Sequence, residues 1–382
     1  MKLKLAIFLL PLLWAFQLSP EQQSIVEKSV EYLSQNSKNP DDYIVATFKN
    51  RDVILLAEDH RVKENLEFLC SLIPKLYNAG VYNIGMEFGA SEDQLKLDSL
   101  VNASQYSEDL ARQLMFNYNT GWAFKEYMDV YKAVWKFNKS LSNGKPKFRV
   151  INLSYRYHWS SFTGVRTPEN MKVVFYNGNP ETFRFNIVDK EILKKNQKII
   201  IITGDIHAFT KYKFPVYDYL AKDFVRFENS WFGNLLYKKL GNKVFSILLH
   251  KPFSNYPNRK PYLVSPANGE VEKIMARLNY PKAGFDLATT PLGQLKDNSY
   301  YSMGYPNLKL SDIYDGYIFL KPLKNLHGCT IDTLFLNDKN WVSAVENMPD
   351  PDWRQRPKSL KEYWKQIYDF ADIEKIYSQV DR

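Results

Sequence analysis

The run Lys198-Ile199-Ile200-Ile201-Ile202-Thr203 constrains the fold more than any other stretch of the chain. A strand that is apolar on both faces must be covered on both, and a parallel sheet between helical layers provides that. Other short apolar runs fit the same sheet: Val53–Leu56, Val81–Phe88, Phe148–Leu153 and Lys243–Leu249. Helical spacing separates them. Val62–Ala79 carries Leu66, Leu69, Cys70, Ile73, Leu76 and Tyr77 before stopping at Gly80, with Pro74 expected to kink it. Ser19–Leu33 begins with a cap residue and a proline. Ser107–Phe116, Trp122–Leu141 and Phe232–Leu240 are further helices. Tyr43–Phe48 is β-rich and precedes the turn-like Lys49-Asn50-Arg51-Asp52, so it is expected to form a hairpin with Val53–Leu56. Tyr155–Lys195 reads as an irregular, aromatic-rich insertion over the site. The predicted fold class is α/β, with a mostly parallel central sheet flanked by helices.

At 382 residues a substantial core is assured, and 45% apolar with 24% charged residues is ordinary globular usage. No internal repeat or low-complexity linker appears. The expectation is one elaborated α/β domain over 19–382, with its core at about 42–336. The net charge of +9 comes from dispersed lysines and implies a solvated surface; without a basic block, no nucleic-acid partner is expected. Cys70 and Cys329 are the two cysteines, which excludes Cys-based zinc and redox motifs. Cys70 lies in an apolar run and reads as a buried thiol.

Met1-Lys2-Leu3-Lys4 is a short basic segment, and Leu5–Phe16 is almost wholly apolar. That run is too short to span a bilayer and matches the apolar region of a signal peptide. Residues 1–18 are expected to be a signal peptide or an N-terminal anchor. The protein would then be exported (periplasmic, membrane-anchored or secreted), with membrane association through this segment.

Three of the strands end in polar residues: Ala57-Glu58-Asp59-His60, Met86-Glu87-Phe88 and Thr203-Gly204-Asp205-Ile206-His207. Ligands of parallel sheets bind outside the carboxyl ends of the strands. Glu58, His60, Glu87, Asp205 and His207 would converge there. Histidine can pair with a strand-end carboxylate and act as a base near neutral pH. Asp59 reads as a structural cap and Asp205 as either cap or chemistry. Arg156 and His158, past the third strand, are candidate substrate-binding residues, whereas His250 and His327 read as packing or surface residues. No serine elbow, H-E-x-x-H, phosphate loop or dinucleotide turn is present, which disfavours the corresponding hydrolases, proteases, NTPases and dehydrogenases.

The two strand-end signals form a paired G-x-x-H pattern, intact as Gly204-Asp205-Ile206-His207 and with Ala57 replacing the first glycine. Together with Glu87 between them, this resembles the superfamily joining erythromycin esterase, ChaN-type haem-binding proteins and the Tiki and TraB proteins. Gly121-Trp122, Gly233-Asn234-Leu235-Leu236 and Asp315-Gly316-Tyr317-Ile318-Phe319-Leu320 agree with it. The resemblance implies an α/β core with a glutamate- and histidine-lined cleft. It implies a hydrolase that activates water against an ester, lactone or amide of a small molecule or peptide. His60 would be the base, Glu58 or Glu87 its orienting carboxylate, and His207 the group that polarises the carbonyl or shares the base role. His60, Glu87 and His207 are also a donor set for a divalent metal, Zn or Mn. The alternative is a ChaN-type haem- or metal-binding protein without hydrolytic activity.

Overall fold

The computed structural model describes residues 19–351 and 354–380. The sequence reading of the N-terminal segment therefore lies outside the described residues. The strands are β1 (Val53–Glu58), β2 (Asn83–Ala90), β3 (Arg149–Ser154), β4 (Ile199–Gly204), β5 (Phe214–Asp218), β6 (Asp223–Glu228), β7 (Val244–Leu249), β8 (Phe253–Ser254), β9 (Leu263–Val264), β10 (Ala283–Asp286) and β11 (Gly316–Phe319). Seven of them form one sheet in the order β10-β11-β7-β1-β4-β2-β3. All neighbours are parallel except β10, which pairs antiparallel with β11 at the edge. This is the expected α/β architecture. β4 sits between β1 and β2 and is buried along its whole length, as its isoleucine run requires.

Helices cover both faces. On one lie α2 (Pro40–Thr47), α3 (Lys63–Asn78), α4 (Gln94–Asn102), α5 (Glu108–Tyr118), α6 (Lys125–Ser140) and α13 (Leu360–Ala371). On the other lie α1 (Pro20–Asn36), α8 (Pro180–Glu191), α9 (Phe232–Leu240) and α10 (Glu270–Arg277). Along β1, Ile54 and Leu56 enter the first core, and Val53, Leu55 and Ala57 the second. The period-2 alternation of the strand thus divides one apolar run between two layers. α3 continues through Pro74. The remaining helices are the short α7 (Pro168–Val174), α11 (Leu310–Ile313), α12 (Trp341–Glu346) and α14 (Ile373–Tyr377). No helix among the described residues is long and apolar enough to cross a membrane.

Two sequence expectations are corrected. Tyr43–Phe48 is not a hairpin strand but lies in α2 and its cap. The Asn39 side chain accepts from the Asp41 amide and Pro40 occupies the first turn, so a start signal outweighs the β-rich composition. Second, Tyr155–Lys195 is aromatic-rich, as expected, but not irregular throughout, since it contains α7 and α8. β4 lies on the far side of β2 from β3, and a parallel crossover of that kind needs a connecting helix. The segment supplies it as α8.

Candidate functional site

β1, β2 and β4 are adjacent and parallel, so their polar C-terminal residues meet at one edge of the sheet. His60 Nδ1 lies 3.1 Å from Glu58 Oε1, the same oxygen that accepts a 2.6 Å hydrogen bond from the Tyr127 hydroxyl. Burial and the Glu58 charge raise the Tyr127 pKa, so the phenol stays protonated and donates. Glu58 is buried, and its other oxygen has no partner. Burial alone would lower the His60 pKa; the Glu58 hydrogen bond and the charges of Glu87, Glu58 and Asp59 outweigh it and raise it. The imidazole packs edge-on against Phe88 at 4.7 Å and Trp122 at 5.7 Å. Nε2 has no hydrogen-bond partner among the described residues, and the His60 side chain is 28% exposed.

His207 is held differently. Its Nδ1 lies 2.8 Å from Glu181 Oε2, and its Nε2 3.3 Å from Glu87 Oε1. Burial would lower its pKa, but the two carboxylates dominate and hold it at about 9. Both carboxylates are kept ionised: burial opposes this, while His207 and Arg184 hold the Glu87 and Glu181 pKa values below the usual range. Nδ1 is hydrogen-bonded to Glu181 and Nε2 lies at ion-pair distance from Glu87, so both nitrogens face carboxylates that favour the imidazolium. Arg184 completes the cluster, donating to Glu181 at 2.6 Å and to Glu87 at 3.2 Å. Glu87 also accepts from the Thr203 hydroxyl at 2.7 Å and the Gly204 amide at 2.8 Å.

Gly204 explains the intact G-x-x-H copy. A Cβ there would lie 2.8 Å from His60 Nε2 and 3.5 Å from His207 Cδ2. The glycine is thus the floor on which both imidazoles sit, a demand of close approach rather than of backbone conformation, since its φ is −57°. Gly204→Ala is expected to displace the His60 ring. An NMR titration should show the His60 pKa falling toward its ordinary value as the Glu58 hydrogen bond weakens; an unchanged titration would contradict this packing.

The His207 pKa also sets a pH dependence of stability. The folded-state pKa of about 9 lies above the ordinary histidine value. The stabilisation is therefore complete below about pH 6.5, the unfolded-state value, and is lost as pH rises toward the folded value. It is on the order of 3 kcal/mol. Thermal melting across this window should show a declining Tm, and His207→Gln should flatten that decline. Parallel curves for the two proteins would refute the imidazolium assignment.

The structure brings Glu58, His60, Glu87 and His207 to one edge and does not bring Arg156 and His158 there. Arg156 pairs with Asp93, and the exposed His158 stacks on Tyr176 at 4.2 Å. The Tyr157 hydroxyl, not its neighbours, faces the site, 3.5 Å from Arg184. Asp59 caps no amide of α3; its side chain accepts from the Arg61 backbone amide at 3.1 Å, the Arg61 guanidinium at 2.7 Å and the Tyr377 hydroxyl at 2.9 Å. Asp205 accepts from Lys251 and Tyr301, which hold it against burial as a carboxylate. His250 is buried between Tyr317 and Glu272, and His327 pairs with Glu64. Cys329 is buried and Cys70 half-buried, both as free thiols.

Sequence reasoning missed Tyr127, Glu181, Arg184, Lys251 and Tyr301. Signals existed for two of the elements. Asn179-Pro180 is the same cap-and-proline start as Ser19-Pro20, and it places Glu181 and Arg184 one turn apart on α8. The strand-end rule, applied to β7, points to His250-Lys251.

The fold and this Glu/His/Arg edge define a parallel α/β protein with a buried ion-pair network beneath two imidazoles. Residues 44–162, less than half of the chain, match the model of the family described as haem-binding uptake, Tiki superfamily, ChaN. The superfamily resemblance read from the sequence is borne out over that segment. Among curated proteins, none matches the sequence. A crystal structure described as a succinoglycan biosynthesis protein superposes with a TM-score of 0.52 at 13% identity, covering 83% of this chain and 100% of that one. A Bacillus cereus protein gives 0.50 at 10% identity, over 81% of this chain and 99% of that one. At such identities the likeness is one of fold. A mutant erythromycin esterase in its open conformation gives 0.48 at 11% identity, over 72% of this chain and 92% of that one.

The donors at this edge do not form a built site for a divalent metal. Both nitrogens of His207 face carboxylates, and both oxygens of Glu87 are engaged. Glu87 and His207 belong to an ion-pair network that His60, paired with Glu58, does not join, and among the described residues no group of three or more His, Cys, Asp or Glu side chains is placed to hold a metal ion. An axial ligand to haem must be an unprotonated donor. Of the two motif histidines, His60 keeps the one nitrogen, Nε2, that faces no carboxylate, and it is the histidine that would hold an iron.

Proposed function

We propose that the protein is a hydrolase of the erythromycin-esterase-like type, acting on an ester, lactone or amide of a small molecule or peptide. One observation carries this reading. Of the two motif histidines, His60 alone keeps a nitrogen that faces no carboxylate, while its other nitrogen lies 3.1 Å from the buried Glu58. That is the arrangement of an oriented general base. His60 Nε2 takes a proton from water as the water oxygen attacks the carbonyl carbon. The same nitrogen returns the proton to the leaving oxygen or nitrogen as the tetrahedral intermediate collapses, giving acid and alcohol or amine. Glu58, itself held by Tyr127, fixes the ring and stabilises its charged form. His207, protonated and fully paired, is unsuited to the base role.

The test is a hydrolysis screen of the purified chain against chromogenic esters, lactones and amides at neutral pH, in parallel with a haem titration. Turnover that disappears in His60→Ala is expected. No turnover, with a stoichiometric Soret band that His60→Ala removes, would replace the hydrolase with the haem-binding alternative.

A further inference from the structure

We propose that the Lys251 ammonium donates the hydrogen bond that stabilises the carbonyl oxygen as it becomes an anion during hydrolysis. This inference rests on the hydrolytic reading and completes it. A base that drives water onto a carbonyl needs an opposing donor for the oxygen on which negative charge develops. The family resemblance gave that part to His207. The structure turns both nitrogens of His207 toward carboxylates, and Arg184 is almost fully buried against the same two, Glu87 and Glu181. Arg61 is turned to Asp59 in a fork, with its guanidinium over the Phe370 ring of α13.

Lys251 reaches the edge from the other side. β7 is the second parallel neighbour of β1, and Ala57 of β1 is level with Leu248 of β7. His60 and Lys251 each lie three residues beyond that pair, so the two strands bring base and ammonium to the same edge. Adjacent strands stand only about 5 Å apart. The Lys251 side chain is 12% exposed, more buried than a lysine that merely meets solvent.

The ammonium is held without being exhausted. It donates to Asp205 Oδ2, the oxygen that also accepts from the Tyr301 hydroxyl. The Asp205 backbone oxygen accepts from the Tyr314 hydroxyl at 3.5 Å, so the anchoring residue is itself fixed. An ammonium carries three hydrogens. The other two on Lys251 have no hydrogen-bond partner among the described residues. Asp205 directly follows Gly204, the residue on which the His60 ring sits. Burial would raise the Asp205 pKa; the charge and hydrogen bond of Lys251, the Tyr301 hydroxyl and the charge of His60 outweigh it. Lys251 also helps Arg61 keep Asp59, the residue before His60, ionised against burial. One ammonium thus acts on the carboxylates of both strand ends that frame the base. As His60 Nε2 takes a proton from water, the water oxygen bonds to the carbonyl carbon and the C=O electron pair moves to oxygen. Lys251 donates a hydrogen bond to that oxyanion and keeps its proton. The pair returns as the bond to the leaving group breaks.

Preorganisation is what makes this donor effective. The Asp205 carboxylate balances the lysine charge in the resting site, and the unpartnered hydrogens are in place before substrate arrives.

The experiment uses the full chain, the chromogenic ester that it hydrolyses, and the matching thionoester, whose sulfur is a weak hydrogen-bond acceptor. Lys251→Met is expected to lower kcat by about 10²–10³ with little change in KM. The rising limb of the pH profile should stay in place, because His60 is intact. The preference of the wild type for the oxygen ester over the thionoester should shrink in the variant. Lys251→Met also strands the Asp205 carboxylate, so a double variant adds Asp205→Asn and removes the pair together. The expected result is a recovered Tm without a recovered kcat. A double variant that regains kcat would overturn the proposal, because the lysine would then serve only to hold Asp205. Unchanged kcat in Lys251→Met, with His60→Ala inactive, would overturn it and leave the hydrolase standing. No turnover of any ester by the wild-type chain would overturn both.

Discussion

Arg184→Met is expected to be the most destabilising single substitution near the site, lowering stability by about 3–5 kcal/mol. The Arg184 side chain is almost fully buried and is the fixed cation that both Glu87 and Glu181 contact. Removing it leaves two buried carboxylates facing the imidazolium of His207 alone, which cannot replace the two lost hydrogen bonds. Methionine keeps most of the volume, so packing loss contributes little and the electrostatic loss is isolated. Urea denaturation monitored by tryptophan fluorescence measures the effect. A triple variant that adds Glu87→Gln and Glu181→Gln should recover part of the loss, because it removes the unpaired charges themselves. A single-variant loss below about 1 kcal/mol would mean that the network is far more solvated than its geometry implies.

His60→Gln should lower kcat/KM by about 10²–10⁴ on whichever ester or lactone is turned over, with little change in stability. Glutamine can still reach toward Glu58 but cannot cycle a proton. The wild-type pH profile should rise through an ionisation above the ordinary histidine value, since the Glu58 hydrogen bond and its neighbouring charges outweigh burial at His60. That rising limb should vanish in the variant. Tyr127→Phe should move the limb without abolishing turnover, because it removes the 2.6 Å donor to Glu58 and leaves the carboxylate freer to hold the proton. Activity that survives in His60→Gln with the same profile would transfer the base role elsewhere.

Much of the scaffold was legible in the sequence because the information is local. The isoleucines of β4 carry apolar side chains to both faces, so the run itself implies a covered parallel strand. Strand-end residues project from such a sheet at one edge, so Glu58, His60, Glu87 and His207 could be named before their separations were known. Where two local signals conflicted, at Tyr43–Phe48, composition pointed to a strand and the Asn39-Pro40 cap to a helix, and the packing of Tyr43, Ile44 and Phe48 into the core accompanies the helix.

The partners of those residues were not legible, because they come from distant parts of the chain. Tyr127 reaches Glu58 across 69 positions, and Arg184 reaches Glu87 across 97. In sequence Tyr127 is one more apolar position on an amphipathic helix, and Glu181 and Arg184 belong to a segment without clear periodicity. By itself the sequence determined the sheet, its two covering layers and the edge at which acids and histidines emerge. Only the tertiary structure decided which histidine keeps a free nitrogen and which is held as a cation. Protonation is set by the carboxylates that folding brings within about 3 Å of a ring, and a linear spacing does not encode that distance.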